Sequence, residues 1–99
     1  MDDIKQYSNP KVVFKNAKKY LGKDVNIQLS NKPAKKYMIL NPNTNKWVYF
    51  GQIGFEDYTK HKDEKRRENN LKRTANIRGN WKDNPYSSNM LSRQILWNA

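Results

Sequence analysis

Apolar and basic residues alternate at helical spacing in the segment 9–22. Asn9 suits an N-cap, Pro10 the first helical position and Gly22 the C-cap, so the pattern predicts a short amphipathic helix. Its apolar face comprises Val13, Phe14, Ala17, Tyr20 and Leu21. Its opposite face comprises Lys11, Lys15, Lys18 and Lys19. These lysines form either a solvated face or a binding face, and the sequence leaves both interpretations open.

Strict alternation follows in the segment 25–30, where Val25, Ile27 and Leu29 share one side. This period of two predicts a half-buried strand. Two further strands are predicted at Lys36–Asn41 and Lys46–Gly51, joined by a turn that contains Pro42 and Asn45. Three antiparallel strands are therefore expected.

After the strands, Phe55 and Tyr58 are expected to anchor the chain on the core, and apolar residues are then absent from Thr59 to Asn70. Lys, Arg and Glu favour helix, and Asp63 precedes Arg67 by four residues, as Glu68 precedes Lys72. We therefore predict a charged helix from Asp63 to Asn76. Its exposed face would contain Lys62, Arg66, Asn69 and Arg73, while Leu71 and Ala75 would dock its C-terminal half.

The last apolar segment, Met90–Trp97, has little polar surface, and Ser87 or Ser88 can cap it as a helix. Such a helix must be buried, either in the chain's own core or in an interface with a protein partner or a second copy. Trp81 and Tyr86 are expected to fill gaps at the edge of the core.

Together these elements predict an α+β fold. A three-stranded antiparallel sheet would be packed by an N-terminal helix, a basic central helix and a short apolar C-terminal helix. Residues 9–98 would form one small domain, and residues 1–8 a disordered arm without periodicity.

Charge narrows the expected function. The chain has 20 Lys and Arg against 9 Asp and Glu, which gives a formal net charge of +11 over 99 residues. Such an excess favours a polyanionic ligand, although it could also serve only to keep a small domain in solution. The chain has no cysteine, which excludes disulfides and thiolate metal sites. No apolar run is long enough for a signal peptide or a membrane span, so a soluble intracellular protein without membrane contact is expected.

Long cationic side chains beside aromatic strands are the strongest candidate chemistry, because phosphate contacts need such groups at a spacing that follows the nucleic-acid backbone. We predict nucleic-acid contacts from Lys62, Lys65, Arg66, Arg67, Lys72, Arg73, Lys35, Lys36 and Lys46. Tyr37 or Tyr49, if exposed, could stack on single-stranded bases, whereas core packing is the alternative role.

Catalytic signatures are lacking. The lone His61 could serve as a general base, but a nuclease normally brings several convergent carboxylates to hold a metal. Asp57, Asp63 and Glu64 are instead interleaved with cations in the manner of capping and ion-pair residues. We therefore expect a structural His61, which packs or hydrogen-bonds at the start of the charged helix. Neither a metal nor another cofactor is expected, and the protein is predicted not to be an enzyme.

The most specific string in the chain is DYTxHKDxxRR, which begins at Asp57. It is accompanied by Lys36-Tyr37-Met38, Asn41-Pro42, Trp47, Phe50-Gly51, Gly54, Leu71, Trp81, Leu91-Ser92 and Leu96-Trp97. In these residues the chain resembles a family of small, basic, uncharacterised proteins encoded by large nucleocytoplasmic DNA viruses, the giant-virus group. The resemblance implies a viral origin, no established enzyme activity, and a location in the virion or the viral factory.

The expected function is therefore low-specificity binding or condensation of viral nucleic acid through phosphate contacts, with DNA favoured over RNA. The alternative is a virion structural or adaptor protein, in which the charged helix meets an acidic protein and the C-terminal helix lies in an interface.

Overall fold

The fold is an α+β arrangement in which helices pack on an antiparallel sheet of order β1-β2-β3, as predicted. The computed structural model describes residues 4, 7–79 and 81–97. The strands are β1 (Ile27–Leu29), β2 (Lys35–Asn41) and β3 (Lys46–Gln52). The helices are α1 (Pro10–Leu21), α2 (Tyr58–His61), α3 (Glu64–Ala75) and α4 (Ser88–Leu91); α4 continues as a π-helix (Ser92–Leu96), and a 3₁₀ turn (Trp81–Asp83) precedes it.

Helix α1 begins and ends where its sequence predicts. The Asn9 side chain accepts a hydrogen bond from the Val12 amide, Pro10 is the first helical residue, and the Gly22 amide donates to the Lys18 carbonyl at 2.8 Å. Gly22 has φ 101°, in the left-handed region where a glycine ends a helix at little cost. The predicted apolar face packs toward the core, and the four lysines of the opposite face are exposed.

The core lies between α1, the inner face of the sheet and the C-terminal residues. Tyr37 pairs with Phe50 and Ile39 with Val48 across β2 and β3, which places four large side chains on this face. β1 is shorter than predicted, and Leu29 is 49% exposed, so the prediction that Leu29 is buried is wrong. β1 is an edge strand of three residues, and the core does not extend over this end of it.

Residues 88–96, called the C-terminal helix from here on, close the chain's own core. The Ser87 side chain caps this helix by accepting from the Met90 amide, and Leu91, Ile95 and Leu96 are buried. The Trp97 amide donates to the Ser92 carbonyl at 3.0 Å, the i to i−5 bond of a π-helix. Of the two expected sites for these apolar side chains, the structure shows the intramolecular one.

The C-terminal helix lies between α1 and α3. On one side, the Asn16 side chain of α1 donates to the Ile95 carbonyl at 2.9 Å. On the other side, Arg93 donates to the Leu71 carbonyl of α3 at 2.7 Å and to the Thr74 hydroxyl at 2.6 Å. Helices α1 and α3 therefore contact different faces of the C-terminal helix.

Two predictions for the chain outside these elements need correction. The predicted disordered arm falls partly on residues 1–3, 5 and 6, which lie outside the described residues; within it, however, Ser8 is buried and Ile4 packs against the core. Phe55, predicted to anchor the chain, is 64% exposed because the backbone around it is held instead by polar contacts described below. In the described part of the chain, no helix is long and apolar enough to cross a membrane.

Candidate nucleic-acid interface

Helix α3 forms from a strongly polar sequence because its ends are capped and its charges are ordered. The Asp63 side chain accepts from the Lys65 amide at 3.0 Å and from the Arg66 amide at 3.3 Å. An acidic residue in the first turn and basic residues in the last turn complement the helix dipole. Glu68 and Lys72 form the predicted ion pair at 3.1 Å, whereas Asp63 caps the helix and Arg67 lies 3.8 Å from Glu64 instead.

Polar contacts, rather than apolar burial, hold α3 on the C-terminal helix, and α3 has no fully buried residue. Arg67 donates through Nε to the Trp97 carbonyl at 2.9 Å, and Arg93 donates to Leu71 and Thr74 as described above. Arg67 is consequently half-buried, with its guanidinium over the Tyr58 ring. Arg67 is one of the predicted phosphate-binding residues, but its side chain mainly holds α3 in place instead of extending into solvent.

The outward face of α3 is basic. The acidic residues Glu64 and Glu68 are exposed on α3 as well. The exposed cations, with Asn69 between them and Lys62 just before the helix, are Lys62, Lys65, Arg66, Asn69, Lys72 and Arg73. We call this set the α3 basic face; it contains the row of four residues expected to be exposed. Arg66 lies 3.9 Å from Glu56, and Lys72 pairs with Glu68. Within the described residues, Lys62, Lys65 and Arg73 form no ion pair, so their charges are available to a ligand.

Lys35 and Lys46 are both exposed, but they lie at opposite ends of the β2–β3 hairpin. Lys35 is opposite Gln52, and Lys46 is opposite Asn41. Six residues of strand separate the two ends, which corresponds to about 20 Å. The two lysines therefore do not belong to one small patch.

The prediction that Lys36 contacts phosphate is wrong, because its side chain is only 3% exposed. Its ammonium lies 3.1 Å from the Asp57 carboxylate, which is 1% exposed, and donates to the Phe55 carbonyl at 2.5 Å. Burial lowers the pKa of Lys36, and Asp57 opposes that shift by favouring the charged form. A charge removed from water needs such partners, so Lys36 is a structural residue.

Asp57 is also the end point of a one-way chain of buried hydrogen bonds. Tyr37 donates to the Ser8 hydroxyl at 2.8 Å, and Ser8 lies 3.2 Å from the Thr59 hydroxyl, which donates to Asp57. The Thr59 amide donates to the same carboxylate at 3.0 Å. This network joins the segment before α1, strand β2 and helix α2. Sequence reasoning missed it, although the spacing of Asp57 and Thr59 is that of a capping aspartate and the threonine it caps.

Of the two tyrosines that could stack on bases if exposed, Tyr37 has the alternative role in core packing, and Tyr49 is partly covered. Tyr37 lies fully in the core, where burial raises its pKa well above its ordinary value. Tyr49 donates to the Asn31 side chain at 2.7 Å, and the Lys32 ammonium lies 4.2 Å from its ring centre. Burial therefore rules out base stacking by Tyr37, and the Lys32 side chain covers one face of the Tyr49 ring.

His61 has the expected structural role at the start of α3. Its Nδ1 accepts a hydrogen bond from the Asp63 amide at 2.9 Å, and its ring lies 5.3 Å from that of Trp97. Burial lowers the pKa of His61, and the neighbouring Arg66 adds to this effect. No group of three or more potential metal ligands occurs among the described residues.

Residues 25–74 match the model of a family described as a family of unknown function, DUF5754. The chain belongs to this family. The part that matches DUF5754 contains the whole sheet and all of α3 except its last residue, so the α3 basic face lies within it. Helix α1 and the C-terminal helix lie outside the matched residues. No curated protein and no solved structure shows a significant match to the chain.

Proposed function

We propose that the protein is a non-catalytic nucleic-acid-binding protein that contacts phosphates through the α3 basic face. The observation that carries this proposal is the set of exposed cations of the α3 basic face, three of which, Lys62 included, have no ion pair within the described part of the chain. From Lys65 to Arg73 the helix rises about 12 Å, enough to follow several phosphates along one strand. Arg73 and Arg66 add planar guanidinium groups, which can bind phosphate oxygens in pairs.

Binding of this kind has low sequence specificity, because phosphates are the same at every base pair. Its free energy comes largely from the release of counterions and so weakens steeply as salt increases. The resemblance to giant-virus proteins makes viral DNA, in the virion or the viral factory, the natural ligand to propose. Such binding needs neither a metal nor a reactive side chain.

Fluorescence anisotropy of labelled duplex and single-stranded DNA, titrated across salt, tests the proposal. The double variant K65Q/R73Q keeps good helix formers in α3 and removes two phosphate contacts. Each lost contact should lower the slope of log affinity against log salt by about 0.9 for duplex DNA, hence by about 1.8 for two contacts. The weakening should be the same for unrelated DNA sequences.

The matched control is R78Q/K82Q, which removes the same charge from two exposed positions outside α3. This control should keep almost the full salt slope. Equal losses in both variants would show that net charge alone attracts the DNA, and the assignment to α3 would fail. Wild-type protein that binds no DNA even at low salt would overturn the proposed function.

A further inference from the structure

A second set of like charges lies on α1, outside the family match. Lys11, Lys15, Lys18 and Lys19 are all exposed, and α1 contains no acidic residue. Within the described residues, none of the four forms an ion pair. Lys11, Lys15 and Lys18 are spaced by four and then three residues, so they form one stripe about 10 Å long. We call these three residues the α1 lysine stripe.

The α1 lysine stripe has no internal compensation. Lys11 and Lys15 are neighbours on the helix surface, and Lys15 is in turn a neighbour of both Lys18 and Lys19. Like charges at these spacings destabilise a helix, and an acidic residue among them would relieve the repulsion at once. The chain provides none in α1, although it places Glu64 and Glu68 among the cations of α3. A polyanion bound along α1 would provide the missing negative charge.

The C-terminal helix separates this stripe from the α3 basic face. Val13 and Ala17 of α1 are fully buried in the core that the C-terminal helix closes, and Asn16 donates to that helix, so the stripe faces away from it. On the other flank, Leu71 and Thr74 of α3 face the same helix through Arg93. The two basic surfaces therefore point to different sides of one folded chain.

Resting on the function proposed above, we infer that the α1 lysine stripe is a second phosphate-binding site, through which one chain bridges two segments of duplex DNA. The α3 basic face, with its arginines, binds the first duplex more tightly, because guanidinium groups form paired contacts to phosphate oxygens. The α1 lysine stripe, made of point-charge ammonium groups, then captures the second duplex. Bridging of this kind draws two polyanions together and gives condensation a structural basis.

A two-duplex capture assay tests the inference. One 20-base-pair duplex is fixed to beads, wild-type protein is added, and a fluorescent duplex of the same length but unrelated sequence follows. Wild-type protein should retain the fluorescent duplex at low salt. The triple variant K11Q/K15Q/K18Q should bind the fixed duplex as well as a control that loses the same net charge elsewhere, because the α3 basic face is intact. It should, however, retain no fluorescent duplex above beads without protein. Glutamine preserves helix propensity, and circular dichroism confirms that α1 is intact.

The matched control, K32Q/R78Q/K82Q, loses the same three charges from exposed residues outside both helices and should capture the second duplex as wild type does. Full capture by the α1 variant would overturn the bridge, because it would show that self-association or α3 alone holds both duplexes. Wild-type binding to the fixed duplex without capture would overturn the bridge while leaving the proposed function intact. No binding to the fixed duplex would overturn both.

Discussion

Removing the charge of Asp57 should destabilise the fold far more than removing the charge of a surface acid that lies equally close to its own lysine partner. The Lys36–Asp57 and Lys72–Glu68 pairs have the same nitrogen–oxygen distance of 3.1 Å. The first pair is 3% and 1% exposed, whereas the second is 72% and 65% exposed. The chain thus contains its own matched comparison for the effect of burial on an ion pair.

The expected magnitudes follow from this difference. D57N keeps a side-chain acceptor for the Thr59 amide but leaves the Lys36 ammonium buried without a counter-charge, a change that costs about 3–5 kcal/mol. E68Q should cost only about 0.3–0.5 kcal/mol, because water already screens that pair. Since a small domain has only about 5–15 kcal/mol of stability in total, D57N should still fold but should be near its limit.

Urea unfolding of D57N, K36M, the double variant and E68Q measures these costs as shifts of the midpoint at constant slope. The double variant removes both charges, so it should be more stable than the sum of the single losses predicts, by about 1–3 kcal/mol. Strictly additive losses, or a D57N loss no larger than that of E68Q, would refute the argument that burial makes this pair important.

The pH provides a second check on the same residue. Because the pKa of Lys36 in the fold is already below its ordinary value of 10.5, the folded state binds its proton less tightly than the unfolded state does. In D57N this difference should grow, so the variant should regain stability relative to wild type as the pH rises toward and above 10.5, because the amine is neutral in both states only well above that value. A D57N loss that does not change with pH would show that Lys36 is not the charged group responsible.

Three further predictions concern single residues. Wild-type protein should lose stability as the pH falls from 6.5 through the lowered pKa of His61, because the unfolded state takes up the proton first; urea midpoints measured from pH 8 to pH 5 should fall, and H61Q should flatten that part of the curve. G51A should be more destabilising than G22A in thermal unfolding, although both glycines have positive φ. A Cβ added at Gly51 would lie 2.8 Å from the Leu96 side chain, whereas a Cβ added at Gly22 would have no atom within 4 Å. S87A should cost about 1 kcal/mol in urea unfolding through loss of the cap on α4, and S87T should recover much of it.

The sequence predicted those elements whose signals are local. The caps of α1 and α3 and the period of their side chains lie within a few residues of one another, so propensity and capping rules were enough to locate both helices. The β2–β3 hairpin was likewise predicted from two strands and a short turn. Even the exposed row on α3 follows from helical spacing alone.

Contacts between residues that are distant in sequence cannot be predicted from these local rules. Nothing within a few residues of Lys36 indicates that Asp57, 21 positions away, will neutralise it, so a strand lysine was expected to be exposed. Phe55 looked like an anchor because it is aromatic, yet the backbone carbonyl of that residue, rather than its ring, holds the chain. Ser8 lies in a segment without periodicity, and nothing local indicates its burial, because its partners, Tyr37 and Thr59, are distant in sequence.

The central position of the C-terminal helix also bears on how the chain folds during synthesis. Leu91, Ile95 and Leu96 complete the core and emerge after every other element. At about 5–20 residues per second, the ribosome needs on the order of 2–7 seconds to add the residues between the end of β3 and this helix. For that time only α1, of the helices in this core, is available to cover the inner face of the hairpin. The nascent chain therefore depends on α1 to cover part of that face until the C-terminal helix has been made.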